Sequence, residues 1–261
     1  MDVVKVAKML EKAFDINENG YSVRCRIMTA VNAREFDRVV ICTHGFGGNK
    51  DAGNITKFAE KELAKYKNDA VIAFDWPCHG KDARKKLVLS ECIDYLTMVI
   101  NYARNTLKAD HIYNYSVSFG AYITLKYIAE LDDPFSKIAL RCPAIPMYDL
   151  MKKNVDASDL EKLEKGKEVM VGFDRKMKVD KELFEDLKKS DVTKYEYFDH
   201  ADRMLIIHGT KDSTVPIEAS EKFAEDNVIE FIPVENADHP FKDPKLMDLA
   251  IHKIVDFFEP E

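Results

Sequence analysis

Short, almost uninterrupted apolar runs recur along the chain at intervals that leave room for a helix between them. They are Val39-Val40-Ile41-Cys42, Ala70-Val71-Ile72-Ala73-Phe74, Ile112-Tyr113-Asn114-Tyr115, Ile138-Ala139-Leu140, Met204-Leu205-Ile206-Ile207 and Val228-Ile229-Glu230-Phe231-Ile232. Continuous rather than alternating apolar character predicts strands covered on both faces, as in a parallel sheet. Between them, apolar residues fall at helical spacing: Ile55, Phe58, Ala59, Leu63 and Tyr66; Ile93, Leu96, Ile100, Ala103 and Leu107; Ala121, Leu125, Ile128 and Ala129; and Leu246, Leu249, Ala250 and Phe257. Asp243 and Pro244 supply a cap and a first helical residue for the last of these. Strand and helix in repeated alternation predict an α/β fold, a mostly parallel central sheet with helices on both faces.

Two regions break the rhythm. Residues 1–37 combine a short helix-like start with a hairpin, in which Asn19-Gly20 separates Ala13–Asn17 from Tyr21–Thr29 and adds antiparallel edge strands. Residues 147–199 are charge-dense, yet keep helical apolar spacing at Leu160 and Leu163 and at Leu183, Phe184 and Leu187. Such an insertion is either a solvated helical excursion or a lid over the ligand crevice. With no repeat and no Gly/Ser-rich linker, the expectation is one domain over 1–261 that carries 147–199 as an inserted cap.

Composition narrows the partners. A hydrophobic share of 46% in 261 residues is enough for a sizeable core and excludes a disordered chain. The net charge of -7 argues against nucleic acid, whose phosphates call for a basic surplus. No run approaches the roughly 20 apolar residues of a membrane span, and the charged opening, Met1 to Lys8, lacks the apolar block of a secretion signal. Five widely spaced cysteines without a C-x-x-C pair suit neither a disulfide framework nor a zinc knuckle, and read as reduced thiols of a cytoplasmic protein. The sequence leaves open whether the protein works as a monomer or a homodimer.

In an open α/β sheet, ligands bind beyond the carboxyl ends of the strands, so the residues that follow each run are the informative ones. Five endings concentrate Gly, His, Ser and acid: Thr43-His44-Gly45-Phe46-Gly47-Gly48, Asp75-Trp76-Pro77-Cys78-His79-Gly80, Ser116-Val117-Ser118-Phe119-Gly120-Ala121, His208-Gly209-Thr210-Lys211-Asp212 and Val234-Glu235-Asn236-Ala237-Asp238-His239. A serine on a sharp strand-to-helix turn needs small residues two places to either side. Ser118 meets this with Ser116 and Gly120, and is favoured over Ser116, whose upstream flank is Asn114. Taken alone, Ser118 could equally be a helix cap. A serine nucleophile also needs an imidazole base and an acid to orient it. Asp212 and His239 follow Ser118 in that chain order.

The backbone N–H groups of Phe46 and Phe119 are placed to form an oxyanion hole. The His44–Gly48 loop lacks the Gly-Lys-[Ser/Thr] ending of a phosphate cradle. His44 and His208 read as structural histidines bonded to nearby loops. His44, Asp75, His79 and His208 follow no metal-ligand spacing, so neither metal nor organic cofactor is expected. Nothing near Cys78 marks it as a nucleophile. Tyr148, Phe173, Tyr195, Tyr197 and Phe198 in the insertion either line a substrate pocket or pack the insertion onto the body.

On these five endings the chain resembles the α/β-hydrolase superfamily over essentially its whole length, and most of all its bacterial cinnamoyl/feruloyl esterase-type members. The resemblance implies a serine esterase with Ser118 as nucleophile, Asp212 as acid and His239 as base, acting without a cofactor on a small-molecule ester, aryl or cinnamoyl esters among them. A thioesterase, a peptidase or a non-catalytic binding protein on the same fold are the alternatives. Two positions depart from the family pattern: Ser116 stands at the first glycine of G-x-S-x-G, and Cys78 at the first glycine of D-x-x-G-x-G.

Overall fold

A computed structural model describes residues 9–32, 34–172 and 175–260; the helix-like start expected at the N-terminus lies outside them. The first two strands, β1 (Leu10–Glu18) and β2 (Tyr21–Thr29), form the expected hairpin. Asn19 and Gly20 both take positive φ, 52° and 80°, as a two-residue hairpin turn of the mirror-image type demands. Then follow β3 (Arg38–Thr43), α1 (Gly53–Lys65), β4 (Asp69–Phe74), α2 (Leu89–Asn101), β5 (His111–Val117), α3 (Phe119–Glu130) and β6 (Lys137–Arg141). After β6 come α4 (Met147–Lys153), α5 (Ala157–Glu164), the short strands β7 (Val169–Val171) and β8 (Met177–Val179), and α6 (Lys181–Lys189). The chain closes with β9 (Met204–Gly209), α7 (Ile217–Asn227), β10 (Glu230–Val234) and α8 (Pro244–Phe257).

Eight strands form one sheet in the order β1-β2-β4-β3-β5-β6-β9-β10, parallel from β4 to β10 and antiparallel through the hairpin. Every residue of β3, β4 and β9 is buried, which is why these strands read as unbroken apolar runs. On one face, α1 and α8 cover Val40, Val71, Ala139 and Ile207; on the other, α2, α3 and α7 cover Ile41, Ile72, Leu140 and Ile206. Pro233 lies in β10, an edge strand, where its missing N–H interrupts no inner ladder.

Two expectations shift. The last strand begins at Glu230, not Val228: Val228 caps α7 in a left-handed conformation (φ 58°) and is 72% exposed. In α8 the buried stripe is Met247, Ala250, Ile251, Ile254 and Val255, while Leu249 faces solvent. The helix is turned from the expected face because α8 must meet both the sheet and α1. Its N-terminus is as read, with the Asp243 carboxylate accepting from Lys245 N–H and Pro244 at the first position.

The segment between β6 and β9 shares the core of the body: Met147, Leu163, Val179, Leu187 and Val192 join the cluster that covers α3. It is tied down further by a short parallel pairing with residues 85–87, in which Lys178 N–H donates to Lys85 O (2.7 Å) and Leu87 N–H to Lys178 O (3.0 Å). Arg175 grips the loop after β4, its Nε donating to Cys78 O at 2.7 Å. No described helix is long and apolar enough to cross a membrane.

At the amino ends of the strands, Arg38 donates to Asp69 and to Phe258 O and lies 3.5 Å from Glu62, all three side chains being 5% exposed or less. Removing one member of a buried ionic group leaves the others uncompensated, at about 3–5 kcal/mol. Arg38→Met is therefore expected to lower unfolding stability by about that amount in urea titration; a loss below about 1 kcal/mol would show that the cluster does not hold the sheet to α1.

Candidate active site

The turn from β5 into α3 places Ser118 at φ 53°, ψ −114°, a conformation rare for any residue but glycine. Its backbone is pinned on three sides: its N–H donates to Arg141 O (3.0 Å), and its carbonyl accepts from Tyr122 N–H and Ala144 N–H (3.1 Å each). Small neighbours are indispensable. A Cβ on Gly120 would meet Thr43 Oγ1 at 2.1 Å and His44 O at 2.8 Å, and one on Gly45 would touch Ser118 Cβ at 3.1 Å.

Three sequence-predicted residues come together here. Ser118 O–H donates to His239 Nε2 across 3.0 Å, and His239 Nδ1–H donates to Asp212 Oδ2 across 2.6 Å. The Asp212 carboxylate is enclosed and takes four N–H donors: Thr214 and Val215 at Oδ1 (2.8 Å each), and His239 and His208 at Oδ2. Burial alone would raise its pKa, but the donors of His208, His239 and Val215 hold it well below the usual carboxylate range. It therefore carries a full negative charge behind His239.

Phe46 and Phe119 face each other with rings 5.8 Å apart, edge to face. Neither of their backbone N–H groups bonds to another described residue. Phe119 N–H opens α3, so it has no partner within the helix; the Gly45–Gly48 turn carries Phe46 (Gly48 N–H to Gly45 O, 3.0 Å). Asp75 stitches the neighbouring loops, accepting from Lys50 N–H at 2.7 Å, and leaves no room for a side chain on Gly80, whose Cβ would meet Asp75 Oδ2 at 2.3 Å.

The two departures from the family pattern have structural answers. Ser116 is no rival nucleophile. Buried under the turn, it donates to Asn114 Oδ1 (2.5 Å) and accepts from Thr43 (2.9 Å) and Thr124 (2.8 Å). Cys78 adopts φ 67° and donates from Sγ to Lys86 O at 2.9 Å; burial pushes its thiol up to about 11, so it is no nucleophile at neutral pH.

Two of the insertion tyrosines stand elsewhere. Tyr197 is fully buried, its O–H on Leu125 O, and Tyr195 reaches Glu130 at the far end of α3. At a rise of about 1.5 Å per residue, Glu130 is roughly 18 Å from Ser118 along the helix. Both therefore pack the insertion onto α3, and neither lines the site. Tyr148 is half-buried against Phe184, packing α4 on α6. Phe198 is 52% exposed, and Phe173 lies outside the described residues.

Sequence reading missed two residues beside the acid. His208, taken for a loop-bonded histidine, donates from Nε2 to Asp212 (3.1 Å) and Val215 O (3.2 Å) and accepts at Nδ1 from Ser220 O–H (2.8 Å). Cys142 follows β6, a strand ending outside the five considered, and lies against the same carboxylate. The signal for His208 was its spacing, four residues before Asp212 across a tight turn. Cys142 had none, because it reaches the site from another strand. The set His44, Asp75, His79 and His208 does not assemble into a ligand cluster among the described residues.

His44 and His79 sit beneath the Phe46 loop. Burial pushes His44 down to about 4, and burial together with His44 pushes His79 down to about 3. Unfolding frees both to bind protons below about pH 6.5, so the unfolded state gains protons and stability falls as pH drops from 6.5 through 4. His79 Nε2 has no partner among the described residues, so His79→Phe removes a titrating group and an unmet acceptor together. Urea titrations at pH 7 and pH 4 are expected to show the variant losing on the order of 1–3 kcal/mol less than the wild type; parallel losses would assign the acid sensitivity to other groups.

The comparisons with known proteins agree with this fold. Residues 38–165, just under half of the chain, match the sequence model of the α/β hydrolase fold family. No curated protein sequence matches. Among solved structures, Est1E from Butyrivibrio proteoclasticus with ferulic acid bound superposes with a TM-score of 0.74 at 19% identity, covering 94% of this chain and 97% of that one. An α/β serine hydrolase homologue from Coxiella burnetii gives 0.63 at 17% identity, covering 95% and 97%. The Pyrococcus furiosus esterase Pf2001 gives 0.65 at 17% identity, covering 96% and 92%. With the strand order, the turn at Ser118 and these likenesses in hand, the chain is an α/β-hydrolase in fold.

Proposed function

We propose that the protein is a serine hydrolase that cleaves carboxylic esters through an acyl-enzyme on Ser118. The observation that carries this reading is the continuous chain of contacts from Ser118 Oγ through His239 to the enclosed Asp212 carboxylate, at 3.0 and 2.6 Å. His239 Nε2 takes the Ser118 proton as the oxygen attacks the ester carbonyl. The oxyanion is met by the N–H groups of Phe46 and Phe119, and the alcohol leaves with the proton from His239. Water, activated by the same imidazole, then releases the acid and restores Ser118. Asp212 stays ionised throughout and stabilises the transient imidazolium.

Phe46, half-buried beside the turn and packed edge to face on the buried Phe119, offers an aromatic surface that suits an aryl or cinnamoyl acyl group. The Est1E structure with ferulic acid bound supports the same choice by analogy of fold. In this reading the 147–199 segment is a cap over the crevice. The five free, buried cysteines suit a reducing, cytoplasmic setting.

A fluorophosphonate probe is expected to label the wild type and Ser116→Ala but not Ser118→Ala. His239→Ala should lower p-nitrophenyl acetate turnover by about 10³-fold or more, since the three residues act as a unit. Labelling that persists in Ser118→Ala, or a His239→Ala variant that keeps most of its turnover, would refute the mechanism. A panel of aryl and alkyl esters, thioesters and peptide amides decides the bond; faster cleavage of thioesters or amides than of aryl esters would displace the ester assignment.

A further inference from the structure

Behind the Asp212 carboxylate lies a cluster that the proposed reaction leaves unused. Cys142 Sγ, a ring nitrogen of His208 and a carboxylate oxygen of Asp212 all lie within 4.8 Å of one another. Cys142 and His208 are wholly buried, and the Asp212 side chain is enclosed. The position of the thiol is fixed by the backbone: Cys142 is held at φ 46°, with its N–H on Ile207 O at 2.8 Å. Among the described residues this is the one such group of histidine, cysteine and acid.

A thiolate, an imidazole nitrogen and a carboxylate oxygen make a donor set of the zinc kind. Around a tetrahedral ion with sulfur at about 2.3 Å and nitrogen and oxygen at about 2.0–2.2 Å, the donors lie about 3.3–3.6 Å apart. His208 Nε2 and Asp212 Oδ2, 3.1 Å apart, are already that close, and the Cys142 thiol, within 4.8 Å, completes the set by side-chain rotations of about 1 Å. Hard cations are poorly served, since they prefer shells of oxygen alone.

We propose that Cys142, His208 and Asp212 form an inhibitory site for a thiophilic divalent cation of the Zn²⁺ or Cd²⁺ type, which draws Asp212 away from His239. Binding needs a bare nitrogen on His208, so the Nε2 proton is given up and Nδ1 becomes the protonated position. Ser220 accommodates this, its hydroxyl turning from donor to acceptor at 2.8 Å. Cys142 releases its proton to buffer and binds as thiolate, and water takes the fourth position. The way in is past His239, whose side chain is 18% exposed and covers Asp212. Once Asp212 serves the metal, His239 loses the partner that fixes its tautomer and orientation.

The effect on hydrolysis rests on the role proposed for Asp212; the coordination does not, and the experiment reads the two separately. The full chain, stripped with EDTA and desalted, is titrated with Cd²⁺ while the ultraviolet thiolate-to-cadmium charge-transfer band and p-nitrophenyl acetate turnover are followed together. The wild type is expected to develop the band to saturation at one equivalent and to lose more than tenfold of its turnover in parallel, with EDTA restoring it. Cys142→Ser and Cys142→Ala are expected to show no band and to keep their turnover at the same Cd²⁺. No band in the wild type, or a band that survives in both variants, overturns the site; a saturated band with unchanged turnover overturns the inhibition. If the wild type hydrolyses no ester at all, the proposed reaction fails, while the band and its loss in Cys142→Ser still judge the metal site.

Discussion

The whole site depends on one backbone conformation, the positive φ at Ser118. A serine held there costs on the order of 1–3 kcal/mol, and it persists because its surroundings allow nothing else. The β5–β6 ladder fixes the approach, α3 fixes the exit, and Gly45 and Gly120 let two other backbones close to contact distance. This geometry lifts Oγ out of the sheet toward His239. A relaxed turn would leave Ser118 as an ordinary helix cap, and the arrangement of His239 and Asp212 would have nothing to act on.

The strands that build this geometry carry buried charge at both ends and handle it differently. At their amino ends Arg38 pairs with Asp69 beside Glu62, whose pKa burial pushes well up, and the group fastens β3 and β4 to α1. At their carboxyl ends Asp212 has no lysine or arginine partner among the described residues; its charge is spread over two backbone N–H groups and two imidazoles. The first arrangement is static. The second leaves the negative charge free to respond when a proton moves onto His239, as the proposed hydrolytic cycle asks of it.

Much of this was legible in the sequence, for identifiable reasons. Strands buried on both faces show as unbroken apolar runs, Asn19-Gly20 marks a hairpin turn by its need for positive φ, and the strand endings gather Ser118, Asp212 and His239 at one edge. What was not legible depended on tertiary packing. Val228 looks like a strand residue but ends a helix in a left-handed turn, and the α8 stripe was set by a neighbour distant in sequence. Tyr195 and Tyr197 are aromatic and lie in the insertion, yet their places along α3 follow from how the insertion folds back. Cys142 and His208 reach Asp212 from different strands, a convergence that no local spacing encodes.

The hydroxyl beneath the turn has a consequence of its own. Ser116 fills the space that a glycine would leave, and in doing so it becomes the hub for the buried side chains of Thr43, Asn114 and Thr124. Restoring the family's usual glycine at this position would take from Thr43 Oγ1 its partner, at about 1–3 kcal/mol, while Asn114 keeps Ile41 O and Thr124 keeps Asn114. Positions 43 and 116 are thus inherited as a pair: a lineage that returns to glycine at 116 either exchanges Thr43 with it or carries that cost.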